Sequence, residues 1–83
     1  MKKQKLLQKL LSGTKNVGFS EAVALAEAFG FKLDRLNGSH HIFIHEEIPE
    51  LLNLQNVKGK AKRYQIKQLL QLVEAHNLQL GEE

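Results

Sequence analysis

The stretch Phe31-Lys32-Leu33-Asp34-Arg35-Leu36-Asn37-Gly38-Ser39-His40-His41-Ile42-Phe43-Ile44-His45 decides how this chain folds. Its first four positions alternate apolar and polar, the period of a half-buried strand. Its last six are rich in β-branched and aromatic side chains, which suit a pleated surface. Between them lies Asn37-Gly38, the strongest short hairpin signal, because a type I′ turn needs positive φ at both central positions. The reading is an antiparallel hairpin with strands over 31–36 and 39–45. Alternation groups His40 with Ile42 and Ile44, and the two isoleucines mark that face as the core side.

Upstream, Ala22, Leu25, Ala26 and Phe29 form a helical stripe, and Gly30 follows as a left-handed stop. Ser20 is placed as the N-cap, with Glu21 near the positive end of the helix dipole. A helix is expected over 21–29. Earlier still, Leu6, Leu7, Leu10 and Leu11 predict a short amphipathic helix over Lys2–Ser12, closed by Gly13. Downstream, Pro49 breaks the chain within an acidic loop, Glu46 to Glu50. Leu51 to Val57 alternates again and predicts a third strand with Leu52 and Leu54 inward. Lys58-Gly59-Lys60 reads as a loop. Ile66, Leu69, Leu70 and Val73 predict a last helix over 63–76. The result is an α+β fold: a three-stranded antiparallel sheet with helices 21–29 and 63–76 on one face, plus an extra N-terminal helix.

Eighty-three residues leave room for one domain, with 1–19 as a basic helical extension and 20–78 as the core. The composition, 42% hydrophobic and 25% charged, excludes collagen-like and low-complexity chains. The absence of cysteine excludes disulfides and thiolate ligands and fits a reducing, cytoplasmic setting. No apolar run reaches about 18 residues, so no membrane helix is expected. Gln8 and Lys9 interrupt the first leucines and no small-residue cleavage site follows, which argues against a signal peptide.

The formal charge of +3 is unevenly spread. Met1–Phe19 holds five Lys and no acid; residues 58–67 hold Lys58, Lys60, Lys62, Arg63 and Lys67. The segment between them is net acidic. Two concentrated basic segments suit an anionic partner, although solvated helix ends and a loop account for them equally well.

Three of the four histidines fall within six residues, at His40, His41 and His45. In a strand, His41 and His45 share a face but stand roughly 13 Å apart, too far for one metal ion. His40 and His41 point to opposite faces. Neither a metal nor any other cofactor is expected. A histidine that merely bonds a neighbouring backbone group remains open for each. The chemical alternative is general acid–base work near neutral pH. RNA supplies its own nucleophile, the 2′-hydroxyl, so one positioned base and a few cations suffice.

At this point the sequence resembles a known family. Gly30-Phe31-x-Leu33-x-Arg35-x-x-Gly38-Ser39-His40-His41-Ile42-Phe43-x-His45 is similar to the signature of the HicA toxins, also called YcfA-like, with Gly-Ser-His-His its most specific part. The Lys-rich loop and final helix, Lys58 to Leu72, extend the likeness to roughly Ser20–Leu78. The chain departs from the family pattern in its preceding basic segment and its acidic loop. It also has Leu54-Gln55-Asn56-Val57 where Val-Pro-x-His is common. The resemblance implies a fold like a double-stranded-RNA-binding domain, α-β-β-β-α. It implies an mRNA interferase, the toxin of a type II toxin–antitoxin pair, masked by a HicB-like antitoxin. The family's catalytic histidine falls on His40, with His41 as the neighbouring alternative, and its turn glycine on Gly38. Ser39, Lys58, Lys60 and Arg63 are candidate contacts to single-stranded RNA. Two other readings stay open: a non-catalytic RNA-binding module, in which Phe43 and Tyr64 offer stacking surfaces, and a protein-interaction domain.

Overall fold

The computed structural model describes residues 17–79, together with Gln8 and Gly13. The helix expected over Lys2–Ser12 lies, apart from Gln8, outside the described residues. In chain order the elements are α1 (Phe19–Ala28), β1 (Lys32–Asn37), β2 (His40–His45), β3 (Ile48–Val57), β4 (Lys60–Ala61) and α2 (Arg63–Ala75). The strands form one antiparallel sheet in the order β1-β2-β3-β4. The fold is α+β as expected, but the sheet has four strands rather than three.

The fourth strand comes from the segment read as a loop. Lys58 and Gly59 both have positive φ, 53° and 82°. That pair of conformations makes a tight turn matched to the twist of the sheet. The chain reverses and adds two pairs, Asn56↔Ala61 and Val57↔Lys60. Lys-Gly is a weak hairpin signal because a non-glycine residue at positive φ is uncommon.

The first hairpin is also one residue out of its expected phase. Asn37 pairs with His40, so the turn residues are Gly38 and Ser39. Only Gly38 is at positive φ, 63°, which places glycine first in the turn as in the type II′ pattern. Other boundaries shift for local reasons. Gly18, not Ser20, caps α1: its carbonyl accepts the Ala22 N–H at 3.1 Å. Its own N–H donates to Glu21 Oε1 at 3.0 Å. Pro49 lies inside β3 rather than in a loop. It sits where Pro49 to Leu51 face the single residue Ile44, a bulge that does not need the missing N–H.

The core lies between the sheet and both helices. Phe43, Leu52 and Leu54 from the sheet meet Ala22, Leu25 and Ala26 from α1 and Ile66, Leu69 and Leu72 from α2. The alanines of α1 let its backbone come close to β3 and β4. Leu52 and Leu54 point inward as expected. The side of β2 that faces the core is not the expected one. Phe43 and His45 are buried, whereas Ile44 is exposed. Pairing puts His41 opposite Leu54 and Phe43 opposite Leu52, so the helix-side row is His41, Phe43, His45. His40 stands with Ile42 and Ile44 on the face opposite the helices.

A buried imidazole is tolerable here because both ring nitrogens are satisfied. Glu47 N–H donates to His45 Nδ1 at 3.0 Å, so Nε2 carries the proton and donates to Phe29 O at 3.0 Å. His45 thereby ties the end of α1 to the β2–β3 turn. Gln65 plays a comparable part. It is buried in α2, and its Oε1 accepts the Gln55 N–H of β3 at 2.7 Å.

Candidate functional site

Antiparallel pairing brings both hairpin turns to the same end of the sheet. The Gly38-Ser39 turn opens β2, and the Lys58-Gly59 turn closes β3. Asn56 N–H donates to Ser39 O at 3.1 Å and joins them. Lys58 holds its positive φ in a turn fastened on two further sides. Gly59 N–H donates to Asn56 Oδ1 at 2.8 Å, and Phe19 N–H, at the start of α1, donates to Gly59 O at 2.9 Å. The sequence-predicted residues Gly38, Ser39, His40, Lys58 and Lys60 therefore converge, although eighteen residues of chain, 40–57, separate the two turns.

His40 opens β2 on the helix-free face and is half-buried. Residues opposite each other share a face, so this face also carries Arg35 and Asn37 from β1, Gln55 and Asn53 from β3, and Lys60 from β4. Cations thus flank the histidine on both outer strands. His40 Nδ1 lies 3.1 Å from Asn53 Oδ1. Gln55, directly across from His40, instead donates its Nε2–H to Ser39 Oγ at 3.3 Å.

His41 has a different environment. Its ring lies 4.6 Å from that of Phe19, tilted by 58°, on the helix side. Its Nδ1 donates to Ser39 O at 3.2 Å, since a carbonyl can only accept. The three clustered histidines are thus divided: His40 to the open face, His41 to the start of α1, His45 to the core. Among the described residues no group of three His, Cys, Asp or Glu side chains could hold a metal ion.

Arg63 begins α2, separated from β4 by the N-cap residue Lys62, and is exposed. Lys62 Nζ lies 5.8 Å from the Tyr64 ring centroid, and Tyr64 is 62% exposed. Tyr64 is therefore an available aromatic surface. Phe43 is not: it is 1% exposed and belongs to the core. Sequence reasoning also passed over Asn53 and Arg35. Alternation with Leu52 and Leu54 marked Asn53 as outward, whereas Arg35 follows a break in the alternation and takes its face from the register shift after Leu33; strand register puts both on the face of His40.

No helix among the described residues is long and apolar enough to cross a membrane. No curated protein and no solved structure matches the chain. A family model does match. It is described as the HicA toxin of bacterial toxin–antitoxin systems, and it covers residues 19–75, more than half of the chain. That span runs from the first residue of α1 to the last residue of α2 and holds the hairpin turns, His40 and the basic loop, so the chain belongs to the HicA toxin family.

Proposed function

We propose that this toxin is a metal-independent endoribonuclease, an mRNA interferase acting in the cytoplasm and held in check by a HicB-like antitoxin. The observation that carries this reading is His40, with Nδ1 engaged by Asn53 and Nε2 without a hydrogen-bond partner among the described residues. Nε2 of His40 removes the proton from a ribose 2′-hydroxyl. The oxygen attacks the adjacent phosphorus, the bond from phosphorus to the 5′-oxygen breaks, and the leaving oxygen takes a proton from solvent. The products are a 2′,3′-cyclic phosphate and a 5′-hydroxyl. Lys58, Lys60 and Arg63 hold phosphate, and Gly38 and Ser39 let the RNA backbone approach the turn. Phosphate contacts position the strand without selecting its sequence.

The test is incubation of a long single-stranded RNA with the purified protein in EDTA. Cyclic phosphate ends are expected. Ends bearing a 3′-hydroxyl and a 5′-phosphate would point to attack by metal-activated water and overturn the mechanism. Binding with a steep salt dependence but no cleavage would leave a non-catalytic RNA-binding module.

Lys58 supplies a second prediction. A lysine at φ 53° is strained, and a Cβ-free residue there meets nothing that opposes it. Lys58→Gly should therefore raise stability by about 0.5–1 kcal/mol in thermal unfolding, after the entropy cost of glycine. The same change should weaken RNA binding and reduce the slope of log K against log salt by about one. Tighter or unchanged RNA binding would remove Lys58 from the phosphate contacts.

A further inference from the structure

We propose that Asn53 is a positioning residue that fixes His40 in the tautomer bearing its proton on Nδ1. The functional consequence rests on the reading of His40 as the base; the tautomer itself does not. An amide oxygen has lone pairs and no proton to give. With Asn53 Oδ1 at 3.1 Å from His40 Nδ1, the ring must supply the hydrogen. In a neutral imidazole that leaves Nε2 bare, which is the form able to accept a proton.

The fold makes this pairing specific. Asn53 lies on β3 two residues from Gln55, the direct partner of His40, and so shares the open face at a diagonal position. Diagonal neighbours on one face are within reach of longer side chains. Gln55 is the closer residue in register but is spent on Ser39. Asn53 is half-buried between Leu52 and Leu54, both fully buried, so its backbone is held by the core beneath it. His41, the adjacent imidazole, takes its proton position from a backbone carbonyl instead. A substitution at Asn53 therefore alters the tautomer of His40 and leaves that of His41 in place.

Long-range proton–nitrogen correlation spectra of the histidine rings read the tautomer directly, without reference to activity. The wild type should show His40 protonated on Nδ1. Asn53→Leu should move it to the Nε2-protonated form and slow RNA cleavage about tenfold, the value of one orienting hydrogen bond. Asn53→Asp keeps an acceptor at the same place and should retain the tautomer. Its charge should shift the acidic limb of the pH–rate profile upward by about one unit. Thermal unfolding of both variants separates these effects from loss of structure. The proposal is overturned if wild-type His40 carries its proton on Nε2, or if Asn53→Leu folds normally with tautomer and pH profile unchanged. If the tautomer responds as stated while His40→Ala still cleaves, Asn53 sets the tautomer but His40 is not the base.

Discussion

His40→Ala should slow RNA cleavage by about a hundredfold to ten-thousandfold, the usual contribution of a positioned general base. The loss should fall on the chemical step, with RNA binding nearly intact, because the cations of the Lys58–Lys60 turn are untouched. The fold should survive. His40 lies on the face away from the core, and the hydrogen bond of its ring to Asn53 contributes about 1 kcal/mol. His41→Ala is the necessary companion. It removes a ring packed on Phe19 and should lower stability by about 0.5–1.5 kcal/mol while cleavage continues. The opposite pattern, cleavage lost in His41→Ala and kept in His40→Ala, would move the base to the helix side of the sheet. Rates at saturating RNA, with unfolding curves for each variant, decide between the two.

Gly30→Ala should be the most damaging small substitution for stability. Gly30 has φ +97°, a conformation that costs a side-chain-bearing residue about 1–3 kcal/mol. The added Cβ would also stand 2.9 Å from His45 Nε2. That nitrogen donates to Phe29 O inside the core, so moving it strands a buried polar group, at a further cost of about 1–3 kcal/mol. The two effects together amount to about 2–6 kcal/mol, a large part of the stability of a small domain. The unfolding midpoint should fall by on the order of 10–30 °C. Gly13→Ala is the control, because a Cβ there meets nothing within 4 Å. A Gly30→Ala midpoint matching that of the control would show that His45 does not pack against Gly30.

Both predictions depend on histidines that look alike in the chain. Their residue type and spacing marked them as notable, and the Gly-Ser-His-His motif carried the family. Their duties followed from which face of β2 turns to the helices. Apolar content argued for Ile42 and Ile44 as the buried side. Yet Phe43 is the larger hydrophobe, and its row meets Leu52 and Leu54 in register. His45 can occupy that row because Phe29 O and the Glu47 N–H are there to bond it, partners contributed by two other segments of the chain. A side chain's cost of burial depends on its partners, and partners distant in sequence are not visible to a periodicity.

Local chemistry was readable wherever one element suffices. The stripes of α1 and α2, the glycine stop at Gly30, the alternation in β3 and the hairpin at Gly38 all depend on residues within a few positions of one another. The α+β class follows from them. The phase of the first turn, the second hairpin at Lys58-Gly59 and the place of Pro49 within β3 were set otherwise. Each is a choice among conformations close in local energy, settled by which pairing buries Phe43, Leu52 and Leu54. The same holds for the site. The residue types that the proposed acid–base chemistry on RNA requires stand in the chain for anyone to read. Their convergence at one end of the sheet, and the amide of Asn53 against His40, exist only once β2 and β3 pair in a single register, because a shift of one residue turns every side chain to the opposite face.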